Sequence, residues 1–223
     1  MCFNLLGELA ADLELATRVA RAWWPGRVGR VDCIRFEWSP GRLNPRYLGN
    51  RTAFDALVIH TTPAGGRGFI GIETKYHERA DRPRPVPAER LRRPLEVADR
   101  WGAFRAEWRE ELTRSDLRQI WLDHLLALSM VDEWDTGLFV LMYPTANASM
   151  ASAARRYERA LADPRTFEHR TLEELVGILR TVTDARWVAA FADRYLDFEK
   201  LRILGVSPPT SADAVLSGTG GWR

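Results

Sequence analysis

Three charged side chains lie in two stretches of sequence that are otherwise apolar. Asp55 lies near the start of the run 53–62, and Glu73 and Lys75 lie near the end of the run 68–76. Burying an unpaired charge is unfavourable, so each of these residues requires a partner. Residues two positions apart on a strand point to the same face, which places Glu73 beside Lys75. If the two runs form a hairpin, Asp55 lies opposite them.

Such a set of side chains could bind a divalent cation. Two carboxylates brought together repel each other unless a cation lies between them. Hard ions such as Mg²⁺ prefer oxygen ligands, polarise phosphoryl oxygens and activate water. The ammonium of Lys75 could orient that water or stabilise developing negative charge. The alternative is an ordinary Glu73–Lys75 ion pair at an exposed strand end, with Asp55 capping a loop.

The use of basic residues draws attention to Lys75. Among the 32 Lys and Arg residues, only Lys75 and Lys200 are lysines. A lysine retained in so arginine-rich a chain indicates that its position requires an ammonium group. Unlike Arg, Lys is a compact charge that can lose its proton when desolvated. Lys200 falls late in a helical stretch and is expected to face solvent.

The elements that position these residues follow from hydrophobic periodicity and turn residues. The two charged runs are predicted as strands joined by the Gly-rich turn 63–67, which makes a hairpin. Both strands are apolar on both faces, which predicts a central sheet covered on both sides. A helix over 3–24 and a strand over 31–38 are predicted before the hairpin.

Helices predominate after the hairpin. Residues 79–94 are predicted as a loop with Pro94 near a helix start. The further predictions are helices over 95–109 and 116–131, the second with Ser115 as N-cap, a strand over 137–143, a helix over 147–161, a short strand over 166–169, a helix opened by a capping box at 171–174, and a helix over 185–200. The fold class is therefore α/β, a mixed sheet flanked by helices, in one domain over 1–206 with a loose tail over 207–223.

Composition narrows the class of protein. The formal net charge is +2, which argues neither for nor against a nucleic-acid partner. No apolar run approaches the ~20 residues of a membrane span. Two cysteines give neither a disulfide framework nor a zinc ribbon, so a reducing, cytoplasmic location is expected. Gly65-Gly66-Arg67-Gly68 lacks the strand–loop–helix setting and the Lys-Ser/Thr ending of a phosphate-binding loop.

The segments Asn50-Arg51-Thr52-Ala53-Phe54-Asp55 and Gly71-Ile72-Glu73-Thr74-Lys75-Tyr76 together resemble the PD-(D/E)XK nuclease superfamily. Within it, residues 54–78 are similar to a bacterial group of restriction-type endonucleases. The resemblance implies a restriction-endonuclease-like α-β-β-β-α-β core, matched over residues 3–145, with extra C-terminal helices. It also implies that Asp55 and Glu73 bind Mg²⁺, for which Mn²⁺ can substitute, that the Thr74 carbonyl is a further ligand, and that Lys75 is catalytic. Phe54 stands where the family often has proline, which is a common departure.

Other site residues are suggested by the same resemblance. Many members add an acid from the first helix, for which Glu8 and Glu14 are the candidates, with a solvated glutamate as the alternative. Some members carry a Gln followed by an aromatic residue on the helix after the motif strands. Gln119 matches that Gln and would contact the metal-site water or the substrate backbone, whereas a surface Gln is the alternative. His124 lies off the Gln119 face.

The densest basic cluster follows the motif strand directly. Its arginines are expected to bind phosphate, with a solvated loop as the alternative. The members of this cluster are Arg79, Arg82, Arg84, Arg90, Arg92 and Arg93, and the last three are the predicted nucleic-acid contacts.

Three functional hypotheses follow. The first is a Mg²⁺-dependent DNA endonuclease acting in restriction, phage defence or repair, with RNA as a further substrate class and a homodimer as one oligomeric state left open. The second is a degenerate PD-(D/E)XK module that binds nucleic acid or protein without cleaving it. The third is an unrelated α/β enzyme in which the D…E-x-K spacing is accidental. The intact Asp55, Glu73 and Lys75 favour the first, because a non-catalytic module is free to lose any of them.

Overall fold

The structure of the protein is a computed structural model that describes residues 2–80 and 85–198. The chain divides into two compact units after Asp184. Arg82, Arg84 and Lys200, and the tail predicted from residue 207, lie outside the described residues. The predicted domain boundary at 206 falls there as well, so that boundary stays a prediction.

The first unit is built on a five-stranded mixed sheet. Its strands are β1 (Arg30–Trp38), β2 (Phe54–Thr61), β3 (Arg67–Thr74), β4 (Thr136–Tyr143) and β5 (Phe167–Thr171). They lie side by side in chain order. β1, β2 and β3 pair antiparallel, whereas β3, β4 and β5 pair parallel. The five predicted strands and the mixed α/β class are thus confirmed.

Helices cover both faces of this sheet. They are α1 (Cys2–Ala11), α2 (Leu13–Trp23), α3 (Ala88–Trp101), α4 (Arg109–Arg114), α5 (Arg118–Met130), α6 (Ala148–Ala160) and α7 (Leu172–Val182). α1, α2 and α7 pack over one face around Val58 and Ile72. α3, α5 and α6 pack over the other, around Leu57 and Phe139. The second unit carries α8 (Arg186–Tyr195). Within the described ranges, no helix has the length and apolar character to cross a membrane.

The single helix predicted over 3–24 is wrong, because the structure breaks it at Asp12. The Asp12 carboxylate accepts the backbone N–H of Leu15 at 2.9 Å and so caps the start of α2. A short acidic side chain that bonds to the backbone favours a helix start over a helix interior.

The segment around Pro94 also differs from the prediction. α3 begins at Ala88, directly after Pro87, and carries Pro94 in its interior. It ends at Gly102, which adopts the left-handed conformation with φ of 58°. The basic residues from 90 to 93 therefore lie on a helix and not in a loop. α5 begins at Arg118, and the Ser115 hydroxyl accepts the N–H of Leu117 at 3.1 Å, just ahead of it.

The β2–β3 hairpin forms in the predicted register. Its ladder runs from Ala56 opposite Ile72 to Thr61 opposite Arg67, and Asp55 lies one residue beyond the ladder, beside the end of β3. Gly65 closes the turn with φ of 88°, a conformation that favours glycine. The Phe54 ring packs directly over Gly71, where a Cβ atom would lie 2.6 Å from it. This close approach fixes the backbone of β2 immediately before Asp55.

Candidate active site

Asp55 is held by the strand beside it. Its Oδ2 accepts the backbone N–H of Thr74 at 2.8 Å and the Thr74 hydroxyl at 2.5 Å. The last backbone pair of the hairpin is Ala56 with Ile72. Beyond that pair, the Asp55 carboxylate takes the place of a β2 carbonyl as the partner of β3. The strands therefore part at the point where the acidic side chain enters.

Glu73 and Lys75 form a contact from neighbouring positions on β3. Lys75 Nζ donates to Glu73 Oε1 at 2.6 Å. Glu73 is buried and Lys75 is half-buried, so the pair is not the exposed ion pair of the alternative interpretation. The backbone N–H of Lys75 donates to the carbonyl of Met142 on β4 at 2.8 Å, which fixes Lys75 relative to the parallel half of the sheet.

A third carboxylate reaches this site from α5. Asp123 is fully buried, and both of its oxygens accept hydrogen bonds from the Gln119 amide, at 2.9 and 3.1 Å. Gln119 is exposed and lies one helical turn before Asp123, so it covers the buried acid. The sequence interpretation placed Gln119 near the site and overlooked Asp123. A charged residue four positions from Gln119, within an apolar helix, was the available signal.

The electrostatics show that these groups act on one another. The pKa of Glu73 is raised to about 7, because burial and repulsion from Asp55 outweigh the opposing effect of Lys75. Burial, with repulsion from Glu73, raises the pKa of Asp123 well above its usual range, and Lys75 again opposes the rise. Burial alone would lower the pKa of Lys75, but Glu73 and then the other two carboxylates outweigh it, so the pKa rises. Three carboxylates therefore share one ammonium.

The first helix contributes a thiol to this neighbourhood in place of an acid. Burial, together with repulsion from Asp55, raises the pKa of Cys2 to about 12, and a hydrogen bond with Thr74 opposes this rise. Glu8 and Glu14 are both exposed, and Glu14 lies 3.8 Å from Arg18, one turn further along α2. The structure therefore brings neither predicted first-helix acid to the site.

The predicted phosphate-binding arginines have different surroundings. Arg90 and Arg92 are exposed on α3 and form no ion pair within the described part of the chain. Arg93 instead donates to the backbone carbonyls of Arg46 and Tyr47, at 2.9 and 2.8 Å. Its guanidinium therefore braces the β1–β2 connection, and this role explains its position better than phosphate binding does.

His124 lies apart from the site, in the core. Its Nδ1 is 2.9 Å from the Tyr157 hydroxyl, and its Nε2 is 2.9 Å from the Thr166 hydroxyl. Burial lowers the pKa of this imidazole to about 3, so it stays neutral. The ring stacks on Phe139 with centroids 5.9 Å apart. His124 is therefore a structural residue.

The donor set fits a hard divalent cation by its chemistry. Within residues 2–80 and 85–198, no three His, Cys, Asp or Glu side chains already converge as metal ligands. In this arrangement the Asp55 carboxylate contacts Thr74 and the Glu73 carboxylate contacts Lys75. Burial and repulsion from neighbouring carboxylates nevertheless raise the pKa of Glu73 and of Asp123, and a divalent ion would relieve that repulsion. Oxygen atoms of carboxylates are the ligands that Mg²⁺ prefers.

Comparison with known proteins agrees with this arrangement. The five-stranded mixed sheet, the hairpin that ends at Asp55 and Thr74, and the flanking helices are consistent with a restriction-endonuclease-like fold. The family model of the PD-(D/E)XK nuclease superfamily matches residues 1–197, and the chain belongs to that superfamily. No curated protein and no solved structure matches the chain. The family supports a nuclease that acts on nucleic acid, and such nucleases typically use divalent metals.

Proposed function

We propose that this protein is a Mg²⁺-dependent endonuclease that hydrolyses phosphodiester bonds in DNA. The observation that supports the proposal most directly is the contact of Lys75 Nζ with the buried Glu73 carboxylate at 2.6 Å, beside an Asp55 carboxylate that Thr74 holds at the end of the hairpin. Burial and repulsion from Asp55 raise the pKa of Glu73, and a bound cation would relieve that repulsion. The similarity of residues 54–78 to restriction-type endonucleases supports a role in restriction, phage defence or repair.

Asp55 and Glu73 are the proposed ligands of the metal, with the Thr74 carbonyl as a further one. When bound, Mg²⁺ would neutralise a phosphoryl oxygen and lower the pKa of a water molecule. Thr74 holds Asp55 in place through two hydrogen bonds, so this carboxylate loses little rotamer freedom on binding a cation. Asp123 is held by the Gln119 amide, and a cation bound near it would favour its ionised form.

Lys75 is the proposed catalytic cation. Its ammonium is half-buried and charged, because the surrounding carboxylates raise its pKa. Glu73, which accepts from Lys75 in this structure, would also hold the metal, and Lys75 would then be available to the scissile phosphate. There it would orient the attacking water and stabilise the negative charge that develops on the phosphoryl oxygens.

The test compares wild type with Asp55→Asn and Lys75→Ala, using linear and supercoiled DNA in Mg²⁺, in Mn²⁺ and in EDTA. Wild type should cleave only with the metal. Asp55→Asn should lose metal-dependent cleavage and metal affinity, because the amide provides one oxygen and no charge. Lys75→Ala should lower turnover by roughly 10² to 10³-fold while DNA binding stays nearly intact.

Supercoiled DNA distinguishes the mode of cleavage, because only an endonuclease can open a closed circle. The matched control is Arg165→Ala, which removes an exposed cation that is paired with Asp163. Arg165 precedes β5, at the end of the parallel strands away from Lys75. A wild-type protein that binds DNA well but cuts neither DNA nor RNA with either metal would identify a non-catalytic binding module instead.

A further inference from the structure

The connection between β1 and β2, residues 39–53, has an unusual surface. It contains Arg42, Arg46 and Arg51 and no acidic residue. Leu43 is 58% exposed, and among the residues that the structure describes it is the one large hydrophobic side chain classed as exposed. A single exposed leucine needs no explanation by itself, but this one lies beside three arginines in a segment that carries no acidic residue.

Leu43 is held outward by the backbone. It has φ of 63°, a left-handed conformation that is unfavourable for a branched, bulky residue. Its N–H donates to the carbonyl of Asn50 at 2.6 Å, which closes the connection into a tight loop. Strain of this kind persists only where the surrounding contacts impose it, and it concentrates at functional sites.

The base of the loop is anchored in the protein. Tyr47 and Leu48 are buried, and the Tyr47 hydroxyl donates to Glu133 at 3.0 Å. Arg93 on α3 donates to two consecutive backbone carbonyls of the loop, those of Arg46 and Tyr47. The exposed tip therefore projects from a fixed base.

The loop stands at the same end of the sheet as the proposed catalytic site. β1 ends at Trp38, and β2 begins at Phe54, one residue before Asp55. The backbone carbonyl of Asn50 accepts the N–H of Leu43. The Asn50 side-chain oxygen accepts the N–H of Thr52 at 3.0 Å. The turn that holds Leu43 is thus continuous with the segment that carries Asp55.

The cations around the tip determine which partner fits. Arg42 and Arg51 are exposed and form no ion pair within the described residues, whereas Arg46 pairs with Glu133 at 2.9 Å. Two available guanidinium groups suit phosphate oxygens, which Arg binds through paired hydrogen bonds. A leucine beside them suits the apolar space between stacked bases. Proteins that contact DNA through the minor groove use this combination of basic residues with an inserted apolar side chain.

We propose that residues 39–53 form a DNA-binding wedge, in which Leu43 inserts between base pairs of the duplex while Arg42 and Arg51 bind the flanking phosphates. This inference rests on the proposed function for its choice of DNA as partner. It adds a surface that unstacks the duplex beside the catalytic end of the sheet.

The test measures binding and base unstacking without cleavage. The full-length protein is titrated in EDTA against short duplexes that carry the fluorescent base 2-aminopurine at successive positions. Anisotropy reports binding, and 2-aminopurine emission reports unstacking. The variants are Leu43→Ala and Leu43→Gly for the wedge, Arg42→Ala and Arg51→Ala for the phosphate contacts, and Arg165→Ala as the charge-matched control. Leu43→Ala keeps a side chain on the left-handed backbone, whereas Leu43→Gly favours that conformation. A defect in folding should therefore differ between the two variants, but loss of the leucine side chain is common to both.

We expect wild type to raise 2-aminopurine emission and both Leu43 variants to abolish that rise. Their affinity should fall about tenfold, the equivalent of burying part of one leucine. Arg42→Ala and Arg51→Ala should each reduce the slope of log affinity against log salt by about one, and Arg165→Ala should not.

Leu43 variants that bind and unstack the duplex like wild type would overturn the wedge, as would a wild-type protein that binds without any rise in emission. Cleavage by the same proteins in Mg²⁺ is a separate measurement. A wild type that cleaves DNA but fails the emission test leaves the proposed function standing, whereas one that passes the emission test without cleaving leaves only the wedge.

Discussion

The buried histidine of α5 gives a quantitative prediction about acid stability. His124 is enclosed by Tyr157, Thr166 and aromatic rings, and burial lowers its pKa to about 3. In the unfolded chain its pKa returns to about 6.5. The folded state therefore binds this proton more weakly than the unfolded state. The stability that neutral His124 contributes is complete above pH 6.5 and is lost as the pH falls towards 3.

The magnitude follows from the two pKa values. Lowering the pH from 8 to 5 should reduce the free energy of unfolding by about 2 kcal/mol, and a further decrease to pH 3 should bring the loss to roughly 4 kcal/mol. His60 is also buried with a lowered pKa, so wild type alone does not isolate His124. The difference between wild type and His124→Gln does, because contributions common to both proteins cancel.

The assay is urea denaturation of both proteins at pH 8, 7, 6 and 5, in EDTA so that metal binding does not contribute. His124→Gln should be less stable than wild type at pH 8, since it disturbs two hydrogen bonds. The difference in the free energy of unfolding between wild type and His124→Gln should be about 2 kcal/mol smaller at pH 5 than at pH 8, because glutamine does not titrate. A constant difference across the pH range would refute the assignment of His124 as a neutral core residue.

Further substitutions test the site and its supports. Lys75→Arg keeps the charge but changes the shape of the head group, so we expect turnover between those of wild type and Lys75→Ala in the same cleavage assay. Asp123→Asn should weaken Mg²⁺ affinity about tenfold or more in a metal titration of cleavage, as loss of an outer-shell carboxylate does. Gly71→Ala would place a methyl group 2.6 Å from the Phe54 ring and should lower the free energy of unfolding by roughly 1 to 3 kcal/mol in urea. Arg93→Ala should reduce stability by roughly 1 to 3 kcal/mol in the same assay, because two backbone carbonyls of the loop lose a charged donor.

The hairpin could be predicted from the sequence because the residues that determine it are close together in the chain. Two apolar runs joined by a Gly-rich turn determine the strands, and the position of the turn determines their register. The approach of Asp55 to the end of β3 follows from that register. The family resemblance rests on the same short stretch, which is why the sequence predicts the class of protein well.

Asp123 and Arg93 could not be predicted in this way. Whether Asp123 faces the site depends on how α5 is rotated against β3 and β4, which is determined by packing between elements distant in sequence. The predicted start of α3 was wrong because proline is common at the first position of a helix. In the structure, Pro94 lies inside α3. That error left Arg93 in a predicted loop, where its contacts with the β1–β2 connection were not foreseeable.

The hydrogen bond from the Lys75 backbone to Met142 has a consequence for the protein during its synthesis. The D…E-x-K motif is complete in sequence at residue 75, yet the support for Lys75 is made only with β4, and Asp123 is made only with α5. A nascent or truncated chain that ends before β4 carries the whole motif without the geometry that uses it. If the proposed function holds, activity would then appear only late in translation, and an incomplete nuclease would pose no hazard to the nucleic acid of the cell that makes it.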